Sequence, residues 1–264
     1  MAHLLQHDSV HGKLPWNVKK SRNGIRVGDD ELKVLAERNP ADLPWGELGV
    51  DVVFECTGLF RTRETAGKHL DGGAKKVILS APGGEGIDKT IVYGVNHDTL
   101  TADDLVVSNA SCTTNCLAPV AKVLHDTFGV ERLMMSTIHA YTSSQSLMDT
   151  PVRKRRRGRS AALSIVPTTT GAAKATELVI PELEGRMDGM AFRVPVEDGS
   201  VVDATVTLEK SASIEAVHEA MEAAAEGRMK GVLRVTEEAL VSRDIIGDPH
   251  SSIIDAQSTM TLGD

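Results

Sequence analysis

The chain has 264 residues, 41% apolar and only 3% aromatic, and 29 basic against 37 acidic residues leave a net charge of −8. That length suits one large domain or two ordinary ones, with a core of Val, Leu, Ile, Ala and Met rather than rings. The acidic balance argues against nucleic acid or a membrane surface as partner. No apolar run reaches the ~18 residues of a spanning helix, and the start lacks a signal-peptide pattern. Three cysteines without metal-type spacing suit a reducing, cytoplasmic setting.

In chain order, Leu4 and Leu5 precede a turn-rich Asp8–Gly12. Weak strand patterns follow at Gly24–Val27 and Leu32–Leu35, then a loop marked by Pro40, Pro44 and Gly46. Asp51–Cys56 is nearly continuous apolar sequence, as expected for a strand covered on both faces. A polar helical stretch, Arg61–Leu70, and a strand, Lys76–Ser80, complete a βαβ unit. Further strands are predicted at Thr90–Val95 and Leu105–Val107. Repeated short apolar strands fit an open α/β sheet, whose ligands bind at the carboxyl ends of the strands. Thr57-Gly58 and Ser80-Ala81-Pro82-Gly83 stand at those ends, although Gly and Pro end most strands without any such role.

Next comes Ser108-Asn109-Ala110-Ser111-Cys112-Thr113-Thr114-Asn115-Cys116. It opens a helix with Leu117, Val120, Ala121, Leu124 and Phe128 on one side, Ser111 or Asn115 as cap, Pro119 early and Gly129 as stop. Cys112 falls where a strand hands over to a helix start, and the free N–H groups and dipole there favour a thiolate. Taken alone, a cysteine at a helix start is more often a small buried side chain. His139 ends a strand predicted over Leu133–His139, where a lone histidine is usually structural. The basic run Arg153–Arg159 reads as a solvated loop, a nucleic-acid patch or an anion site. Pro167–Ala175 is a turn into a helix start, an ordinary cap or an anion cradle. Met190, Phe192, Val194 and Val196 alternate with small or polar residues. Asp198-Gly199 signals a hairpin, and Val202, Ala204, Val206 and Leu208 alternate after it, so antiparallel half-covered sheet is predicted with Arg193 opposite the apolar stripe. Ser213 caps a helix closed by Gly227, and strands are predicted at Val232–Val235, Ile253–Asp255 and Met260–Leu262.

The nine residues Ser108–Cys116 resemble the active-site signature of the phosphorylating glyceraldehyde-3-phosphate dehydrogenases. Thr137–Thr142, Pro167–Ala175 and Gly189–Pro195 are similar to further segments of that family, in register along nearly the whole chain. The resemblance implies an α/β fold, with a partial Rossmann-type parallel sheet over 1–110 and an α+β catalytic domain with a mostly antiparallel sheet over 111–264. It further implies that the first βαβ unit, with its Gly-rich fingerprint, would precede residue 1, and that a last strand and helix would follow residue 264. Such a shortened chain is expected to be poorly active.

The family's chemistry would be NAD(P)-dependent oxidation of glyceraldehyde 3-phosphate to an acyl phosphate. Cys112 takes the nucleophile position, Cys116 the inert one and His139 that of the base. Ser111, Thr113, Thr170, Gly171 and Arg157 match positions that hold inorganic phosphate, and Thr142 and Arg193 those that hold the substrate's own phosphate. Thr57, Gly58, Ser80 and Ala81 match loops lining the cofactor. NAD is the implied cofactor, with NADP as the alternative; Thr150-Pro151 leans towards NAD. A homotetramer is implied as well. One departure is Ser144, where the family carries Asp. The rival readings are an erythrose-4-phosphate dehydrogenase or related aldehyde dehydrogenase on the same scaffold, and a non-catalytic chain binding anionic partners through Arg153–Arg159.

Overall fold

A computed structural model describes residues 1–262. The chain begins with α1 (Ala2–Gln6), the short pair β1 (His7–Asp8) and β2 (Gly12–Lys13), and a meander of β3 (Val18–Lys20), β4 (Gly24–Val27) and β5 (Asp30–Lys33). The expected βαβ unit then follows as β6 (Val52–Glu55), α2 (Arg63–Asp71) and β7 (Lys76–Leu79). With β8 (Lys89–Thr90) and β9 (Val106–Ser108) it forms an all-parallel sheet in the order β6-β7-β9-β8. Thr62 starts α2 with a capping box closed by Thr65. A small core of Ala66, Val77, Leu79 and Val106 joins helix to sheet.

Two expectations fail in this sheet. β6 is not covered on both faces. It is an edge strand, and only Val53 and Glu55 point inward, while Val52 and Phe54 are exposed. Thr90–Val95 is mostly turn. Gly94 takes φ +86°, and the Asn96 side chain accepts from the Val92 N–H, so pairing stops at Thr90.

After β9 comes α3 (Cys112–Phe128), then β10 (Val130–Ala140), β11 (Val166–Thr169), α4 (Ala172–Val179), β12 (Met187–Val194), β13 (Ser200–Leu208), α5 (Ile214–Glu226) and the parallel pair β14 (Leu233–Thr236) and β15 (Ser252–Asp255). Gly129, at φ +74°, ends α3 as expected. Pro119 lies beyond the first turn of α3, so it leaves the Asn115 carbonyl without an i+4 partner. Met260–Leu262 forms no strand; a 3-10 turn, Ala256–Ser258, precedes it.

The second large sheet is mixed, in the order β11-β12-β10-β13. The predicted hairpin across Asp198-Gly199 does not form. β10 lies between its two arms, parallel to β12 and antiparallel to β13. The turn chemistry itself is right, with Gly199 at φ +82°, but the longest strand of the sheet supplies a partner to both neighbours.

One face of this sheet packs on α3 and α4, with α5 against α3, around Leu117, Ala121, Leu124, Leu133, Met135 and Met221. Each fully buried aliphatic side chain there contributes about 1.5–3 kcal/mol. The same face carries Thr137, His139, Ala191 and Arg193 on neighbouring strands, because Thr137 pairs with Ala191 and His139 with Arg193. The stripe of Met190 and Phe192, expected to face the core, lies on the opposite face, where Met190, Met134 and Val201 are exposed.

Candidate active site

The turn between β9 and α3 sets the geometry. Ala110 is the one non-glycine residue with positive φ among the described residues, at +56°. For an alanine this costs roughly 1–2 kcal/mol. Three groups hold it. The Ser108 hydroxyl accepts from the Ala110 N–H at 3.0 Å, and the Asn115 amide bridges the flanking carbonyls, Asn109 at 2.8 Å and Ser111 at 2.9 Å. Ser111 then caps α3 by accepting from the Thr114 N–H. Cys112 is thereby left exposed as the first residue of the helix.

A cavity of about 140 Å3 opens over it, lined by Pro82, Ser111, Cys112, Thr113, Thr137, His139, Thr169, Thr170, Gly171, Ala172, Ala191 and Arg193. Cys112 Sγ lies 3.3 Å from His139 Nε2. The imidazole contact is the main reason the Cys112 thiol sits below its ordinary value of 9.0. Burial opposes it, and the His139 charge and Thr113 add to it. One turn on, burial pushes the Cys116 thiol up. His139 Nδ1 lies 2.7 Å from the Ala140 carbonyl and 2.8 Å from Arg193 Nη1. A carbonyl only accepts and a guanidinium only donates. With the proton on Nδ1, the ring donates to Ala140, Arg193 Nη1 donates to the same carbonyl at 2.9 Å, and Nε2 is free to receive the thiol proton.

The N-termini of α3 and α4 both point into this cavity, since Cys112, Thr113, Gly171 and Ala172 all line it. Two partial positive charges with free N–H groups favour anions there. Arg193 Nε and Thr137 Oγ1 are buried in its wall without a partner, and groups of that kind call for a polar ligand.

Seven of the sequence-selected residues therefore meet in one cavity: Ser111, Cys112, Thr113, His139, Thr170, Gly171 and Arg193. Arg157 and Thr142 stand beside it. Arg157 Nε donates to Thr168 Oγ1 at 3.1 Å and Nη1 to Ser144 Oγ at 3.4 Å, and Ser144 in turn contacts Thr142 Oγ1 at 2.9 Å. The loop of Arg153–Arg159 thus folds back on β11 through Arg157 while Arg153, Arg155 and Arg156 stay exposed.

Thr57, Gly58, Ser80 and Ala81 lie apart, at the carboxyl ends of β6 and β7. Ser108, fully buried, joins the two regions. Its hydroxyl donates to the Ala81 carbonyl at 2.8 Å and accepts from Gly83 N–H and Ala110 N–H. Its bonds therefore run to both the β7 loop and the strained turn. The sequence offers Ser108 and Thr137 only as members of matched segments and Asn115 as a helix cap; that Ser108 and Asn115 brace the turn at Ala110 and that Thr137 lines the cavity depends on the fold.

Two family models match: "Glyceraldehyde 3-phosphate dehydrogenase, NAD binding domain" over residues 1–63 and "Glyceraldehyde 3-phosphate dehydrogenase, C-terminal domain" over residues 111–264. The chain belongs to the glyceraldehyde 3-phosphate dehydrogenase family. It is 56% identical over 263 residues to the glyceraldehyde-3-phosphate dehydrogenase of Geobacillus stearothermophilus, covering 99% of this chain and 78% of that protein. It is 54% identical over 262 residues to the plasmid-encoded enzyme of that name from Cupriavidus necator, with the same coverage, and 55% identical over 261 residues to that of Cereibacter sphaeroides, again over 99% and 78%.

Family membership makes the chain an oxidoreductase with NAD as its cofactor. The carboxyl ends of β6 and β7 fit that group. Thr57, Gly58 and Ser80 are exposed there, and a side-chain carbon at Gly58 would meet nothing within 4 Å. No helix among the described residues is long and apolar enough to cross a membrane, and no cluster of three metal-ligating side chains occurs among them.

Proposed function

We propose that this chain oxidises glyceraldehyde 3-phosphate, with inorganic phosphate, to 1,3-bisphosphoglycerate through a thioester on Cys112. One observation carries the reading: a thiol in contact with an imidazole, at 3.3 Å, in a cavity faced by two helix N-termini and an arginine.

The Cys112 thiolate adds to the aldehyde carbon, and His139 Nε2 holds the proton that left the thiol. The developing oxyanion, met by the N–H groups at the start of α3, takes that proton back from His139 Nε2 and becomes the hydroxyl of the thiohemiacetal. His139 then withdraws the hydroxyl proton of the thiohemiacetal as the C–H bond breaks. NAD, held by Thr57, Gly58, Ser80 and Ala81, supplies the hydride acceptor when bound. Inorganic phosphate, held by Ser111, Thr113, Thr170, Gly171 and Arg157, attacks the thioester carbon and releases the Cys112 thiolate. Arg193 and Thr142 hold the substrate's own phosphate, for which a guanidinium offers paired donors.

In this reading residues 1–110 serve the cofactor and 111–264 the chemistry. The exposed apolar face of the mixed sheet supports a homotetramer. Three free cysteines, one of them reactive, suit the cytoplasm.

The test is NADH formation followed with and without phosphate. Without phosphate, a burst of at most one NADH per Cys112 is expected, and steady turnover appears only when phosphate is added. Phosphate-independent turnover, or faster oxidation of erythrose 4-phosphate, would overturn the proposal.

A further inference from the structure

Away from the cavity, the described residues contain one buried carboxylate, Glu55, 4% exposed at the carboxyl end of β6. Its Oε1 accepts from the Thr57 N–H at 2.7 Å and from the Thr57 hydroxyl. Its main-chain oxygen accepts from the Ser80 N–H at 3.1 Å. Both loops assigned to NAD are therefore bonded to this one residue. On its far side, Oε2 lies 3.0 Å from His69 Nε2, and His69 Nδ1 lies 3.1 Å from Trp45 Nε1.

The proton order along this chain is fixed. An indole N–H can only donate, so His69 Nδ1 accepts, and the ring proton must sit on Nε2 and be donated to Glu55. Burial works against charge on Glu55, yet the bonds from Thr57 and His69 hold its carboxyl below the usual range. The Thr57 hydroxyl, its hydrogen committed to Glu55, accepts the Leu59 N–H at 3.1 Å, and this closes the turn around Gly58 at φ +73°.

We propose that Glu55, braced by His69 and Trp45, is a positioning residue that sets the shape of the Thr57–Leu59 loop for NAD. The proposal rests on the assignment of that loop to the cofactor. The catalytic cavity uses none of these three side chains, and their positions, 45, 55 and 69, belong to a loop, a strand and a helix that only the fold brings together.

A glutamine at 55 exposes the proton order. Whichever way its amide is turned, the NH2 group faces either the His69 Nε2–H or the Thr57 N–H, so a donor meets a donor. Removing the indole donor frees His69 to move its proton to Nδ1, and Nε2 can then accept from the amide. The loss caused by Glu55→Gln should therefore be largely restored by adding Trp45→Phe.

The experiment is calorimetric titration of the full chain and its variants with NAD alone, with melting temperature and the rate of Cys112 alkylation measured beside it. Glu55→Gln is expected to weaken NAD binding about tenfold. The double variant Glu55→Gln/Trp45→Phe should bind within about threefold of Trp45→Phe, with alkylation unchanged throughout. Should Glu55→Gln fail to fold, His69 provides the second arm. His69→Gln retains a donor towards Glu55 and an acceptor towards Trp45 and should bind nearly normally, whereas His69→Leu should lose about tenfold. Gly58→Val tests the underlying assignment, because its side chain would enter the space given to the cofactor, and Gly58→Ala beside it subtracts the strain that any side chain meets at φ +73°. If Gly58→Val weakens NAD but Glu55→Gln does not, or if Glu55→Gln and Trp45→Phe simply add, the positioning role is overturned alone. If Gly58→Val leaves binding unchanged, the loop is not the cofactor site and the proposal goes with it.

Discussion

Each face of the mixed sheet carries one group of residues that the usual distribution of polarity would put on the other. The covered face carries Thr137, His139 and Arg193 around the cavity, while the open face carries Met134, Met190 and Val201. An isolated domain places these groups the other way round. The difference assigns the faces different jobs. The covered face keeps its polar groups because helices α3 and α4 bring free N–H groups and a thiol to meet them. The open face keeps its apolar groups for a second surface, which in the reading above is another copy of the chain.

The strongest way to break this comparison is to empty the covered face of its chemistry. Cys112→Ser should lower turnover by at least about 10³-fold, with Cys116→Ser as a near-neutral control, both read by NADH formation. His139→Asn should cost about 10²–10⁴-fold. It should also change the titration of Cys112. The folded thiol sits below 9.0 mainly through His139, so alkylation in the native protein accelerates as pH rises through that lowered value. In the variant the midpoint should move up towards 9.0; an unmoved midpoint would deny the imidazole its role.

Packing behind the site gives the next effect. Leu117 is 1% exposed in the central cluster, and Leu117→Ala should cost about 2–5 kcal/mol in denaturant unfolding. On the open face, Met190→Glu should change protomer stability by no more than about 0.5 kcal/mol while lowering the assembly mass in light scattering. Unchanged mass would remove that face from the interface. The smallest effect is expected at Thr137→Val. Its hydroxyl has no partner, so stability should shift by less than about 1 kcal/mol, and a severalfold rise in the KM for phosphate or substrate would show that the orphan serves a ligand.

Much of the site was legible because its signals are local. Ser111 beside Cys112 announces a cap, and the string through Asn115 is long enough to identify its chemistry. His139 and Arg193 were legible as types, but only the pairing of β10 with β12 makes them neighbours. What was not legible was partnership at a distance. Asp198-Gly199 specifies a turn, yet nothing near it says that β10 will take the place between the arms. Alternation at Met190 and Phe192 specifies two faces without saying which one the helices cover. The run Asp51–Cys56 looks buried on both sides, and only its place at a sheet edge exposes Phe54. Glu55, His69 and Trp45 share no spacing at all.

Ala110 carries a consequence for which sequences can occupy this fold. At φ +56° and 2% exposure, the position rejects β-branched side chains on backbone grounds, and it rejects the Asn and Asp that tolerate such angles because their polar ends would be sealed in. Alanine escapes both objections, and glycine would trade the strain for looseness two residues from the nucleophile. Drift at this position is therefore narrowed from two sides at once, by the backbone and by the seal around it.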